Sequence, residues 1–487
     1  MTLSKYITKN TTPYVAYLSF FIVIYISVLT TIYGFSDDYT NIKDAHTQIL
    51  PVTRMIVEDG RPVYALLNYA FTLTPNAADL IWIRLISIAG IAAVCTLFMK
   101  HIKQTTNLPP RVCIILAACI GLMPPFQVYA AWATTAFFPW SAFFAGLSFL
   151  LLHGATEFCW KNSLKALAVL SLAICIYQPS AMMYWVFAGA AWLASDRPLP
   201  SFKSIAITCA IMGGALVIDF AATKILPPLL FHDFYHVPRT NLVSDIGKKC
   251  LWFLFKVIRS ALNFASAKQN IALSIFMFLF VSSGIYYSCK NNKTFNSKKL
   301  LIFIALIPLS FLPNLVVQEC VTTFRSQVAL TSLLLLYFTL ALSAWLNVIK
   351  RNNLMVPCMS MTLILCSYLS YSNVKNGFAV QQSTELKLVS DYLSKTDNLS
   401  HASSVYFVLS DRDQALSPFS RHLEFGLPST SRPWVPTNMI WMLLNARHSP
   451  NIAKLETAGV GLLKDAPKDP DVTIFNFEQI LRNAHQH

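Results

Sequence analysis

The chain has 487 residues, a formal net charge of +15, 55% hydrophobic residues and 13% charged ones. A soluble domain carries roughly 25% charged residues, and apolar runs of about 20 residues recur here as lipid-spanning helices require, which excludes one large soluble core. Lys and Arg sit at the ends of the apolar runs rather than on one arm or face, so the positive charge does not signal a nucleic-acid partner.

The first apolar run covers 14–33 and ends in Tyr33-Gly34-Phe35. It lacks a cleavable signal pattern and reads as a retained span. Ten further spans are predicted, at 79–99, 112–130, 137–153, 164–177, 180–194, 204–222, 270–289, 300–316, 327–348 and 355–372. With the N-terminus in the cytoplasm, the inner segments hold Lys5 and Lys9, Lys100, Lys103 and Arg111, Lys161 and Lys165, and Arg197 and Lys203. They continue with Lys290, Lys293, Lys298 and Lys299, then Lys350 and Arg351, while the short outer loops hold Arg325 alone. This positive-inside distribution sets the orientation, and the reverse one violates it at nearly every loop.

The outer segments 34–78 and 223–269 and the tail 373–487 are long. A helical pattern at 385–394, a strand at 405–409, a helix at 436–446 and a strand at 472–476 predict a small α/β domain outside the membrane. The expected architecture is thus a polytopic α-helical membrane domain, 1–372, followed by an outer α/β domain, 373–487. No long repeat or heptad array is visible. Most of the 11 Cys lie in apolar segments, with no CxxC pair, and read as packing residues rather than a disulfide or metal framework.

Chemistry concentrates on the outer side. Asp37-Asp38 follows the first span without a spacer. Two adjacent carboxylates at a membrane surface repel each other and lose solvation, which raises the proton affinity of at least one. Such a pair suits a general base toward a hydroxyl, or a divalent metal ligand. The competing reading is a solvated loop start or a helix N-cap. Gly60-Arg61-Pro62 then introduces an expected interfacial helix, 63–72. The Arg61 guanidinium matches phosphate oxygens in bidentate geometry, against a competing role of snorkelling to headgroups.

Arg84 and Asp219 fall inside predicted spans near their outer ends, where an ionisable group is costly and marks function or pairing. Tyr177-Gln178-Pro179 interrupts the chain between two spans and also reads as a tight turn. Glu319 and Arg325 carry the charge of one short outer loop, and either pair with each other or face a charged substrate. Arg239 lies in the second long outer loop, beside His232 and His236, whose i, i+4 spacing suits a metal only with a third ligand that is not evident. Walker and GxSxG motifs are absent, so ATP-driven transport and serine hydrolysis are unsupported.

Taken together, Asp37-Asp38, Gly60-Arg61-Pro62, Tyr177-Gln178-Pro179 and the Glu319 to Arg325 loop resemble the Gtr-type (GtrII-like) serotype-converting O-antigen glucosyltransferases. Arg421-His422-Leu423-Glu424-Phe425-Gly426 and Pro436-Thr437-Asn438-Met439 also look like that family's C-terminal region. The resemblance implies a GT-C fold in the bacterial inner membrane with a periplasmic catalytic face. It implies transfer of a sugar, glucose in that family, from a polyprenyl-phosphate donor to a hydroxyl of lipopolysaccharide O-antigen or a similar glycan. It also implies two membrane partners, a polyprenyl-phosphate glucosyltransferase and a flippase, and an acidic catalytic residue in the first outer loop.

On that reading Asp37 or Asp38, with a slight preference for Asp38, is the base. Arg61, Arg239 and Arg325 bind the donor phosphate. Glu319 orients Arg325 or acts as a second acid, and Arg84, Asp219 and Gln178 support the site. Trp434 and Trp441 stack on acceptor sugars or pack the tail domain. No metal ligand set is assigned, and a divalent metal is compatible with the sequence but not required by it. The alternatives are a flippase or other transporter of lipid-linked glycan, expected to line mid-membrane spans with polar residues, and an O-antigen polymerase, expected to have Arg-rich outer loops.

Overall fold

The computed structural model describes residues 11–153, 159–194, 199–231, 241–291, 294–395, 404–447 and 456–483. Six helices are long and apolar enough to cross a membrane, and a bent helix pair makes a seventh crossing if counted as one span. The remaining expected spans are shorter or broken helices.

The first breaks at Tyr25, between Thr11–Ile24 and Ile26–Thr30, where the Tyr25 hydroxyl donates to the Gly121 carbonyl at 2.6 Å. The bent pair is Pro110–Gly121 with Pro124–Ala131, at 56°. Pro124 and Pro125 offer no amide for the helix ladder, and Met123, extended at φ −68° and ψ 151°, obeys the restriction on a residue before proline. Between Trp160–Ile176 and Gln178–Ala181, Tyr177 is extended at φ −162° and ψ 108°.

Leu80–Thr105 is the central element, packed against the first span and against Pro110–Gly121 and Phe138–His153. Its most apolar window is 72% buried, whereas that of the 30-residue helix Phe202–Phe231 is 28% buried and faces outward. At 1.5 Å per residue the latter is roughly 45 Å long, longer than a bilayer core of about 30 Å. The segment 34–78 is largely helical, as Asp37–Thr47, Ile49–Glu58 and Pro62–Leu67 followed by a 3₁₀ turn, Asn68–Leu73, the last two covering the helix expected at 63–72. Leu50, Met55, Leu66 and Leu73 are exposed on it, an apolar face suited to the membrane interface. The segment 223–269 is tied to the loop after Leu312–Val316 by a short antiparallel bridge between Leu242 and Val317.

The last expected span, Met355–Val374, does not end in a loop. A π-helical turn, Lys375–Val380, carries it into Gln381–Lys395, so one continuous helical rod enters the tail. There Ser404–Val408 is the centre of a three-stranded parallel sheet, flanked by Glu456–Gly461 and Val472–Asn476. Val405, Phe407 and Val408 of the central strand are fully buried, as expected for a strand covered on both faces. Helix Val435–Ala446 packs against Asp37–Thr47 and joins the tail to the first outer segment.

Candidate active site

The site begins at the end of the first span. Arg84, fully buried, donates from Nη2 to the Tyr33 carbonyl at 2.5 Å and from Nη1 to the Val28 carbonyl at 3.3 Å. Its Cζ lies 3.7 Å from the Tyr33 ring centroid. This cation satisfies carbonyls that the end of the helix leaves unbonded, which is the role its depth demands. The chain then turns at Ser36, which holds φ 51° and ψ −114°. A non-glycine residue there is strained, and tertiary contacts hold it. The Ser36 amide donates to Ser429 Oγ at 2.9 Å, and its hydroxyl donates to Asp37 Oδ1 at 3.1 Å.

The two aspartates of the opening helix turn have different environments. Asp38 is fully buried, and its carboxylate accepts three bonds: from the Phe35 amide at 2.9 Å, the Thr134 amide at 2.8 Å and the Thr134 hydroxyl at 2.7 Å. Burial pushes its pKa up to about 6, opposed by Arg84 and by those bonds. Asp37 is partly exposed. Its Oδ1 accepts the indole N–H of Trp434 at 2.8 Å as well as the Ser36 hydroxyl. Asp38 therefore locks the turn, whereas Asp37 is oriented through Oδ1 and stays partly exposed.

Two arginines are close enough to Asp37 to respond to its charge. The half-buried Arg325 lies with Cζ 4.6 Å from the Trp132 ring centroid, and Tyr129 donates to its carbonyl at 2.5 Å. Burial alone would lower its pKa, but Tyr177, Glu424 and Asp37 outweigh burial and raise it. Arg432 stacks over Trp434 at 5.4 Å, and burial lowers its pKa while Asp37 opposes that shift. Its Nε is buried with no hydrogen-bond partner. Glu424 is buried and accepts the Phe324 amide at 3.0 Å and the Arg325 amide at 3.4 Å, so it shapes the arginine turn.

Arg432 and Trp434 reach the site on a strap of the tail. Glu385 accepts the amides of Ser429 and Thr430, both at 2.8 Å, and the Thr430 hydroxyl at 2.6 Å. Gln382 donates to the Leu427 carbonyl at 2.7 Å, and Asn438 donates to Thr40 Oγ1 at 2.8 Å. The continuous rod from the last span thus holds the strap against the first helix after the first span.

A second polar group adjoins these residues. Arg61 lies 5.1 Å above the Tyr177 ring, with a buried Nε that has no partner. Gln178 Nε2 donates to the Gly60 carbonyl at 2.6 Å and to Asp219 Oδ2 at 3.3 Å. Gly60 sits at φ +78°, and a Cβ there would lie 2.9 Å from Thr223 Oγ1, so this approach needs glycine. Arg61, Asp37, Asp38 and Arg325 all bear electrostatically on the buried Tyr64, which places the two groups around one centre.

The sequence therefore singled out Asp37, Asp38, Arg61, Arg84, Gln178, Asp219 and Arg325, and these gather at one end of the helix bundle. Glu319 is exposed, with its carbonyl accepting the Lys249 ammonium at 2.5 Å, and the acid bonded to the Arg325 turn is Glu424. Trp441 is half-buried against the apolar core of the tail. Arg239, His232 and His236 lie outside the described residues. Arg432 was missed: its only sequence signal is an isolated arginine beside Trp434 in a segment without apolar periodicity. Among the described residues no three His, Cys, Asp or Glu side chains converge as metal ligands.

No protein-family model matches the chain, and no curated protein matches it. Among solved structures it is similar to an Archaeoglobus fulgidus oligosaccharyltransferase crystallised as a complex with zinc and sulfate, at 12% identity and a TM-score of 0.38. The match covers 80% of this chain and 59% of the archaeal one, so the chain spans about three-fifths of that protein's length.

Proposed function

We propose that the protein is a GT-C-type membrane glycosyltransferase that moves a sugar from a polyprenyl-phosphate donor to a hydroxyl of a cell-surface glycan on the periplasmic face of a bacterial inner membrane. The observation that carries the reading is one partly exposed carboxylate, Asp37, oriented by Trp434 and Ser36 beside Arg325 and Arg432. Glucose as the sugar, O-antigen as the acceptor, and a donor supplied by a polyprenyl-phosphate glucosyltransferase and a flippase rest on the resemblance of the motifs.

The chemistry follows from these groups. Asp37 takes the proton of the acceptor hydroxyl as its oxygen forms a bond to the anomeric carbon of the donor sugar. The bond from that carbon to the phosphate oxygen breaks, and the phosphate leaves with its electron pair. Arg325 and Arg432, with Arg61 alongside, stabilise the charge that develops on the leaving phosphate, in a setting where burial strengthens the interaction. Arg239 belongs with this set on its sequence position. The exposed face of Trp434 offers a stacking surface for a sugar ring while its N–H holds Asp37.

The experiment is transfer of labelled glucose from polyprenyl-phosphate-glucose to purified O-antigen by membranes containing the full chain. Acceptor labelling supports the reading. Movement of labelled lipid across the bilayer with no acceptor labelling replaces it with the transporter reading.

A further inference from the structure

A cavity of about 930 Å³ opens at the other end of the bundle from Asp37. The helix Val328–Val348 connects the two places, since Arg325 precedes its first turn and Asn347 and Val348 line the cavity from its last. Its 21 residues span roughly 31 Å at 1.5 Å per residue, the thickness of a bilayer core. The cavity thus lies at the opposite membrane surface, the cytoplasmic one by the distribution of Lys and Arg.

Its lining is amphipathic. Lys290 and Lys299 supply two cations, Asn107, Asn296, Asn347 and Asn352 supply amides, and none of the described lining residues is acidic. Lys299 donates to Ser288 Oγ at 3.0 Å and to its carbonyl at 3.3 Å, which fixes the ammonium at the cavity wall. Capping the helix Ile271–Cys289 explains that lysine alone, but not a roomy cavity with a second lysine and four amides. Trp192 and Leu193 form an apolar wall, and Val348, 50% exposed, stands at the rim.

We propose that this cavity binds the phosphate headgroup of an anionic glycerophospholipid, a site separate from sugar transfer. Two lysines and several amides match a phosphodiester, the apolar wall matches the glycerol and first acyl carbons, and basic pockets between membrane helices on the cytoplasmic side characteristically hold such headgroups. A free phosphate shares the polar chemistry but makes no use of the apolar wall.

The test uses the full chain purified in detergent. Native mass spectrometry measures retained phosphatidylglycerol, and thermal unfolding is followed on adding phosphatidylglycerol, phosphatidylcholine or inorganic phosphate. Phosphatidylglycerol alone is expected to stay bound and to raise the unfolding midpoint. The double variant K290Q/K299Q is expected to weaken retention at least about tenfold, with K161Q/K165Q, lysines that do not line the cavity, as the control. Ser343→Leu, which fills the cavity and leaves both lysines, is expected to weaken retention as well and covers the case in which the double variant fails to fold. Retention equal to wild type in the folded variants overturns the proposal. So does an equal midpoint shift with phosphatidylcholine or with inorganic phosphate.

Discussion

Trp434 donates its indole N–H to Asp37 Oδ1 at 2.8 Å across 397 residues of sequence. This bond joins the two ends of the chain at one carboxylate. It makes the tail part of the site, because the strap that carries Trp434 also carries Arg432.

Replacing Trp434 by Phe keeps a ring over the site and removes the bond to Asp37. A hydrogen bond to a charged group contributes about 1.5–3 kcal/mol, so transfer is expected to fall roughly tenfold or more. Replacing it by Ala removes the ring as well and is expected to raise the KM for the glycan acceptor further. Initial rates at varied acceptor concentration separate the two effects. Equal rates for Trp434→Phe and wild type would remove Trp434 from the positioning of Asp37.

Arg325 and Arg432 are expected to act on one phosphate. Arg325→Ala and Arg432→Ala should each lower kcat/KM for the lipid donor by roughly a hundredfold, in line with loss of one charge-stabilising donor. The double variant should lose less than the product of the two, because neighbouring groups that serve one ligand do not add. Steady-state kinetics on polyprenyl-phosphate-glucose checks this, and full additivity would separate their roles.

Asp38 carries a different expectation, on stability. Its carboxylate accepts three bonds inside the fold, and an Asn amide would turn a donor toward donors, at a cost of about 1–3 kcal/mol. The pH dependence has a definite sign. With a folded pKa near 6 and an ordinary value of 3.8, the folded state binds the proton more tightly than the unfolded state. Wild-type stability from this group is therefore greatest at low pH and is lost as pH rises from about 4 to about 6. The penalty of Asp38→Asn should be largest near pH 4 and should shrink over that window, as thermal unfolding midpoints of the two proteins would report.

Gly60→Ala probes the second polar group. The positive φ and the 2.9 Å approach to Thr223 Oγ1 predict a loss of about 1–2 kcal/mol. The displaced turn moves Arg61 as well, so the donor KM should rise while the acceptor KM holds. A stability loss with unchanged donor KM would assign the turn to folding alone.

Much of the architecture is legible in the sequence because lipid imposes simple rules. Apolar length marks the helices. The breaks are unevenly visible: Tyr177-Gln178-Pro179 marks one, but the expected span 112–130 runs through Pro124-Pro125, where the helix bends, and Tyr25 reads as an ordinary apolar position. In the tail, Ser404–Val408 stands out as a buried run, whereas Glu456–Gly461, with the sequence Glu-Thr-Ala-Gly-Val-Gly, is an edge strand without apolar alternation. Asp37 and Arg61 are conspicuous as charges at the ends of apolar runs. Arg432 is not, because its place beside Asp37 is set by the bonds of Glu385 and Gln382 to the strap. A contact made across nearly the whole chain leaves no periodic trace. The difference between the two adjacent aspartates is likewise tertiary, since Thr134 alone supplies two of the bonds that occupy Asp38.

Asp37 is the proposed base, and the most direct measurement of that role is transfer of labelled glucose from polyprenyl-phosphate-glucose to O-antigen by Asp37→Asn at wild-type expression. Loss of a general base predicts a fall of roughly 10² to 10⁴ in rate, with the unfolding midpoint unchanged. Full transfer by Asp37→Asn at normal expression would contradict the account.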